Sequence, residues 1–183
     1  DHLPSIAYVP DALVLPNNTA HADLPLHAVL TGPGEVTSWV LEGELPEGLT
    51  FEASNGTLWG VATELWPQTS YTVWANNSGG SSSATLTITV IDQLPSIAFV
   101  PDLLDLVKHT PHADLPLAPV VTGPGLITSW AIDQALPFGV QFSTENGTFW
   151  GTPTELWPAR TYTVWANNSG GSATATVTLS VVD

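Results

Sequence analysis

A short motif, His-x-Asp, occurs twice in the chain, at His21–Asp23 and at His112–Asp114. An imidazole nitrogen and a carboxylate oxygen are both metal ligands, and two residues of separation allow them to meet in one turn. A metal site needs further ligands, and the sequence has no cysteine to supply them. The alternative is a hydrogen-bonded loop pair with a structural role, and the isolated motif favours that interpretation.

Paired carboxylates are the groups with which a glycosidase would act. The candidates are Glu64 and Glu155, but each stands in its own copy of the string TELWP, so we expect them to lie far apart. The chain has no cysteine nucleophile, no serine motif with a suitable histidine and no Gly-rich loop that would hold a phosphate. We therefore expect no enzymatic activity.

Tryptophan is unusually frequent, with eight residues in the chain. Side chains alternate between the two faces of a strand, so an inward Leu58 places Trp59 outward, and an inward Val73 places Trp74 outward. The same argument applies to Trp150 and Trp165. Outward tryptophans can stack on sugar rings or anchor a protein partner. Alternatively, neighbouring loops, adjacent repeats or glycans cover these rings.

Five Asn-x-Ser/Thr sequons would accept N-linked glycans in an exported chain: Asn17, Asn55, Asn76, Asn146 and Asn167. The alternative interpretation is turn chemistry, because Asn-Gly and Asn-Asn-Ser-Gly-Gly are sequences that tight hairpins favour.

The charge of the chain is strongly unbalanced, with 17 acidic residues against two basic ones, Lys108 and Arg160. Such a surface repels phosphate backbones, so nucleic acids and anionic membranes are poor partners. No apolar run is long enough to span a membrane, so we expect no membrane insertion in this segment.

A hydrophobic content of 43% is enough for a folded core.

The sequence repeats itself at an offset of 91 residues without a gap. The string YTVWANNSGG occurs at residues 71–80 and again, unchanged, at 162–171, and about three positions in five are identical overall. We therefore predict two tandem domains, residues 1–92 and 93–183. The joint between them, VIDQLPS, contains no Gly/Ser linker, so neighbouring repeats of the same chain are expected partners.

Strand signals dominate each repeat, and Pro and Gly recur too often for an amphipathic helix. The strings SIAYVP, LHAVLTG, VTSWVLEG, LTFEA, TLWG, SYTVWA and ATLTITVID predict about seven short antiparallel strands, with a hairpin turn at SNGT and a loop at TELWP. The alternation places Trp39 in the core, and Trp66 is expected to close the end of that core. The predicted fold is all-β, with two tandem immunoglobulin-like (cadherin-like) β-sandwich domains.

The stretch from Leu45 to Asp92 resembles the "Putative Ig" and dystroglycan-type cadherin-like family of repeat-rich surface proteins. The resemblance rests on LPEGL at residues 45–49, the Asn-Gly-Thr turn, GTPTE at 151–155, the Tyr-x-Val-x-Ala strand and the Gly-Gly pair. The first repeat departs from the pattern with GVATE, and the second with LPFGV. The resemblance implies a fold and a setting, the exported surface protein, and no catalytic activity.

The resemblance also raises the question of calcium, which cadherin-type modules hold at their joints with six or more oxygens. The sequence offers a partial set of ligands near the joint: Asp92, Gln93, Asp11, Asp102, Glu64 and Glu155. The dense Asp-x-Asn-Asp-Asn pattern is missing, so calcium is permitted rather than required.

These observations favour a non-catalytic spacer or adhesive stalk of a larger extracellular, cell-surface repeat protein. The alternative is a carbohydrate-binding module that uses the outward tryptophans. Surface glycans or other surface proteins are the further partners to consider.

Overall fold

The computed structural model describes all 183 residues and contains strands but no helix. The first repeat has eight strands, β1 to β8: Ile6–Ala7, Ala12–Pro16, Val29–Leu30, Ser38–Glu42, Leu49–Glu52, Thr57–Gly60, Trp66–Asn77 and Gly80–Ile91. The second repeat has the equivalent strands, β9 to β16: Ile97–Ala98, Leu103–Val107, Val120–Val121, Ser129–Ile132, Val140–Phe142, Phe149–Gly151, Trp157–Asn168 and Gly171–Val182. The all-β prediction is confirmed.

Each repeat consists of two layers around its own core. In the first repeat one layer is a four-stranded sheet in the order β2-β8-β7-β4, and the other contains the pairs β1–β3 and β5–β6. A bridge between Leu26 and Leu58 joins the segment before β3 to the hairpin β5–β6. The second repeat has the same sheets, β10-β16-β15-β12, β9–β11 and β13–β14, with the bridge Leu117–Phe149.

Alternation along the longest strands builds the core, as the sequence predicts. In β7 Tyr71, Val73 and Ala75 are buried, while the residues between them are half-buried on the outer face. Trp39 is also buried, at 7% exposure, and Trp130 has the same exposure in the second repeat. Burial of apolar side chains from both layers is the main term that stabilises each repeat.

Gly56 fixes the hairpin turn between β5 and β6. Its φ of 72° lies in the left-handed region, and a Cβ built there would lie 2.6 Å from Cε3 of Trp39. Asn55 accepts a hydrogen bond from the backbone N–H of Thr57 through Oδ1, at 3.0 Å. The Asn-Gly-Thr string is therefore needed for backbone conformation and for the packing of the core tryptophan.

The prediction that all strands are antiparallel is wrong, because β2 pairs with β8 in parallel. Strand β2 itself is absent from the predicted strands. The register joins Ala12 to Thr87 and continues through Pro16 and Ile91. In the second repeat β10 pairs with β16 in the same way. The string ALVLP alternates between apolar residues that are exposed and residues that are buried, Leu13 and Leu15. This alternation between two turn regions is the sequence signal that indicates the strand.

The loop predicted at TELWP is shorter than expected, because Trp66 and Pro67 already belong to β7. A register shift between Trp66 and Thr69 accommodates the start of this long strand. Trp66 is partly buried against the core, and its Nε1–H donates to the hydroxyl of Tyr71 at 2.9 Å.

The chain divides into two compact units, Asp1–Ile91 and Asp92–Asp183, one residue earlier than the boundary that the repeat predicts. Asp92 belongs to the second unit because its backbone N–H donates to Oγ of Ser169, at 2.9 Å. Its carboxylate accepts the backbone N–H groups of Gln93 and Leu126, at 2.8 and 3.1 Å. These bonds tie the start of the second unit to its interior.

Candidate functional site

A groove of about 460 Å³ opens on the outer side of β6 in the first repeat. It is lined by Ala20, His21, Leu24, Pro25, Thr57, Trp59 and Gly60. The bridge between Leu26 and Leu58 holds the segment before β3 along β6, so the preceding turn folds over the outward side chain of Trp59. The groove has the size of small-ligand clefts, which span about 300–1,000 Å³.

Trp59 is the largest side chain of this groove and remains 48% exposed. The outward orientation that the alternation predicts is therefore found, and Trp150 is 44% exposed at the equivalent position. Strand β6 determines the orientation, because Leu58 is fully buried and the next side chain must point away from the core. A half-exposed indole in a concave surface offers a platform to a planar or cationic group.

His21 of the His-x-Asp motif lines the same groove, and the Asp23 side chain lies beside it. The backbone N–H of Asp23 donates to Nδ1 of His21 at 3.3 Å, and Nδ1 lies 3.6 Å from the Asp23 carboxylate. The backbone N–H of Leu24 donates to the carbonyl of His21 at 3.1 Å and closes the turn. The motif is a hydrogen-bonded loop pair, as the second interpretation of the sequence predicts.

The second repeat reproduces this loop pair. Asp114 N–H donates to Nδ1 of His112 at 3.2 Å, and the carboxylate lies 3.6 Å from that nitrogen. One difference lies at the floor: in the first repeat Nδ1 of His27 is 3.0 Å from Oγ1 of the buried Thr57, whereas Ala118 stands at the corresponding position of the second.

Trp74 and Trp165 do not join Trp59 and Trp150 in a common site. Trp74 lies on β7 of the four-stranded sheet, next to Val40 on β4 and Ser83 on β8. It is half-buried, and its Nε1 is buried without a hydrogen-bond partner. Since Trp59 points outward from the opposite layer, the two rings face away from each other across the core. The structure therefore does not support a site built from both tryptophans of a repeat.

The candidate metal ligands are spread over both units. Both carboxylate oxygens of Asp92 already accept backbone N–H groups, and the carbonyl of Gln93 accepts a bond from Asn168 Nδ2 at 2.6 Å. The Asp11 and Asp102 side chains are exposed, while their carbonyls accept Thr87 N–H and Thr178 N–H.

The two glutamates have matching structural roles. Oε1 of Glu64 accepts the N–H of Glu47, and Oε1 of Glu155 accepts the N–H of Phe138, both at 2.8 Å. Each carboxylate therefore holds the loop before β5 or β13. No group of three or more His, Asp or Glu side chains is arranged to hold a metal ion.

The sequons occupy two kinds of position. Asn55 and Asn146 are exposed in hairpin turns, where each Oδ1 accepts the N–H of the threonine two residues later. Asn17, Asn76 and Asn167 are half-buried; the Nδ2 groups of the last two lie 3.4 and 3.3 Å from a serine hydroxyl of the neighbouring strand. Glycosylation at these positions stays a prediction.

The electrostatics of the groove follow from the distribution of charge. Both basic residues, Lys108 and Arg160, lie in the second repeat, so the first repeat has no lysine or arginine. Lys108 pairs with Asp183 at 3.2 Å, and the Arg160 guanidinium lies 4.8 Å from the ring centroid of Trp157. The Asp23 carboxylate, next to the groove-lining His21, therefore lies in a repeat without lysine or arginine.

Comparisons with known proteins agree with this architecture. The family model described as "Putative Ig domain" matches residues 4–91 and 108–182, which correspond to the two repeats. The "Serine-rich adhesin for platelets" of Staphylococcus aureus (strain MRSA252) is 27% identical over 146 residues, or 79% of this chain and 10% of that protein. The chain thus spans about a tenth of that relative's length.

A solved extracellular structure shares the fold. Extracellular domains 3–5 of Drosophila OTK superpose with a TM-score of 0.57 and 23% identity, over 98% of this chain and 62% of that one. Protocadherin gammaB7 EC3–6 matches with a TM-score of 0.43 and 18% identity, over 100% and 48% of the two chains. None of the elements is a helix that is apolar and long enough to cross a membrane. The family match covers both repeats, and the chain therefore belongs to the "Putative Ig domain" family.

Proposed function

We propose that the two repeats are a non-catalytic, load-bearing module in the stalk or adhesive region of an exported surface protein. The observation that carries this proposal is the parallel pairing of an early strand with the last strand of each repeat. The similarity to a protein named as an adhesin supports the surface setting. The absence of a nucleophile, a metal-ligand cluster or a phosphate loop is consistent with a mechanical role.

The load path follows from the topology. Force applied at the two ends of a repeat pulls β2 from its N-terminal end and β8 from its C-terminal end. Because the two strands run in parallel, this force slides one along the other and loads their hydrogen bonds together. The five register pairs from Ala12–Thr87 to Pro16–Ile91 then share the load, and the adjacent bond from Asn17 N–H to the Ile91 carbonyl, at 2.9 Å, ends the ladder.

The second repeat has the same strand pair and the same terminal backbone bond, and it adds two side-chain interactions. Lys108 N–H donates to the Val182 carbonyl at 2.8 Å, and its ammonium pairs with Asp183. The hydroxyl of Ser180 donates to Asp105 at 2.6 Å across the same two strands. A surface protein under tension needs this resistance to shear in each repeat that transmits the load.

Single-molecule extension of the whole chain tests the proposal. We expect two unfolding events, each releasing about 300 Å of chain at roughly 3.4 Å per residue. Asn17→Pro removes the N–H that bonds to Ile91 and should raise the unfolding rate of one event about two- to tenfold, the worth of one backbone hydrogen bond. Ala20→Pro is the matched control, since proline already occupies the equivalent position, Pro111.

Equal effects of the two substitutions under load, with both variants folded, would contradict a load path through β2 and β8. So would unfolding of wild-type repeats at forces indistinguishable from the pulling background. Either result would leave the fold and the family assignment unchanged.

Carbohydrate binding is the second candidate function, and the exposure of Trp59 in its groove and of Trp150 at the equivalent position favours it over a purely structural role for these rings. The geometry supplies one exposed tryptophan platform per repeat rather than a pair. Binding on a glycan array that is lost in Trp59→Ala and Trp150→Ala, and kept in Trp74→Ala, would support it.

A further inference from the structure

We propose that the groove beside Trp59 is a subsite for a lysine or arginine side chain of a basic segment of another protein. The inference rests on the adhesive role proposed above and names the chemistry of the partner. It uses a groove in which an exposed indole and an apolar wall meet, with the Asp23 carboxylate next to the lining residue His21.

The walls of the groove suit the aliphatic part of a long basic side chain. Ala20, Leu24 and Pro25 line the groove together with Trp59 and give it an apolar surface. Lysine and arginine bury their methylene stems on such surfaces while the charged head stays at the polar rim. A short acidic or hydroxylated side chain would leave this wall in contact with water.

The indole of Trp59 suits the charged head. A guanidinium or ammonium within about 6 Å of a tryptophan ring is attracted to its face, and the attraction is larger for tryptophan than for the other aromatic residues. The chain itself contains this contact between Arg160 and Trp157, at 4.8 Å. Trp59 is nearly half exposed and has no such cation in its own repeat.

The carboxylate of Asp23 supplies the counter-charge. Its side chain is 47% exposed next to His21. The basic group beside it is the His21 imidazole, whose Nδ1 lies 3.6 Å from the carboxylate and accepts the Asp23 backbone N–H. The first repeat has no lysine or arginine to pair with this carboxylate, which leaves its exposed side available to an incoming basic side chain.

Charge complementarity selects the partner. The first repeat has acidic residues and histidines but no lysine or arginine. The whole chain carries a formal net charge of −15. Such a field attracts basic segments and rejects anionic ones over distances of about a Debye length. The second repeat has an equivalent exposed tryptophan, Trp150, and an equivalent His112–Asp114 pair, so we expect a matching subsite there.

The test uses the full chain and a fluorescent peptide in which arginine alternates with Gly and Ser, with a glutamine version as the uncharged control. Anisotropy titrations at low salt compare wild type with Trp59→Ala/Trp150→Ala and with Asp23→Asn/Asp114→Asn. Asp11→Asn/Asp102→Asn is the charge-matched control, because it removes two exposed carboxylates away from the grooves.

We expect the tryptophan pair of substitutions to weaken binding of the arginine peptide about tenfold and the Asp23/Asp114 pair about three- to tenfold. The Asp11/Asp102 pair should weaken it less than twofold. The glutamine peptide should not bind, and wild-type affinity should fall as salt is added.

Equal losses in the two aspartate pairs would overturn the proposal, because binding would then be a diffuse charge effect. Tryptophan-dependent binding of neutral oligosaccharides without binding of the arginine peptide would also overturn it and would select a glycan ligand. If the peptide fails to bind while the Asn17→Pro and Ala20→Pro variants differ under force, only the subsite is refuted and the load-bearing role stands.

Discussion

Tyr8 provides the sharpest test of the packing in the first repeat. Its ring is buried, at 3% exposure, and its hydroxyl donates to the carbonyl of Gly56 at 2.6 Å. The equivalent residue of the second repeat is Phe99, which is buried without a hydroxyl. The substitution Tyr8→Phe therefore imposes on the first repeat a side chain that the second already uses.

At neutral pH the substitution should destabilise the first repeat by about 1–2 kcal/mol, since it removes one hydrogen bond and leaves the Gly56 carbonyl without that donor. Alkaline pH should reverse the sign. Burial raises the pKa of Tyr8 above its ordinary value, so the phenol ionises more readily in the unfolded chain. The stability that neutral Tyr8 contributes is complete below about pH 10 and is lost as the pH rises from there through the folded pKa.

Above pH 10 the wild type loses about 1.4 kcal/mol per pH unit relative to the variant, because only the wild type has this phenol. The two stabilities should therefore cross at about pH 11. Tyr71, whose pKa burial also raises, is present in both proteins and cancels from the comparison.

Urea unfolding followed by tryptophan fluorescence, at a series of pH values from neutral to strongly alkaline, measures both stabilities. The transition of the second repeat, with Phe99 in place, serves as an internal reference. A variant that is less stable than wild type by a constant amount at every pH would refute the reasoning, since it would mean that the Tyr8 hydroxyl is hydrated in the folded state.

Two further predictions concern the turn and the metal. Gly56→Ala should destabilise the first repeat by about 2–4 kcal/mol in the same assay, because its Cβ meets the ring of Trp39 and its φ is left-handed. Gly43→Ala, which shares a positive φ but approaches only the Tyr71 ring at 3.3 Å, should cost about half as much, and equal costs would show that the tryptophan yields. Chelation of calcium should shift the melting temperature by less than about 2 °C in calorimetry, because the Asp92 carboxylate is already occupied by backbone donors; a drop of about 10 °C that calcium alone reverses would contradict this.

Local sequence patterns were sufficient to predict much of the fold. The 91-residue repeat separates two domains, and alternation in YTVWANN identifies the buried face of β7. The phase of Trp39 with Leu41 in VTSWVLEG likewise identifies its inward position. Asn-Gly predicts the hairpin at residue 56 because few other residues adopt its left-handed conformation. These features depend on neighbours in the chain, so their signals are contained in short windows.

The parallel pair β2–β8 joins residues about 75 positions apart, and no local pattern states which strands will be neighbours. The burial of Leu13 and Leu15 depends on that pairing, as does the load path. Strand direction in a sheet is decided by how the two layers enclose the core, which is a property of the whole repeat.

The candidate site shows the same division. The sequence alone identifies Trp59 as outward, because Leu58 must point into the core, and marks the His-x-Asp motif at His21 and Asp23 as a loop pair. Only the tertiary structure places His21 and Trp59 in one groove, because the bridge between Leu26 and Leu58 brings two segments more than 30 residues apart side by side. It also separates Trp59 from Trp74, since the first lies on the β5–β6 pair and the second on the four-stranded sheet.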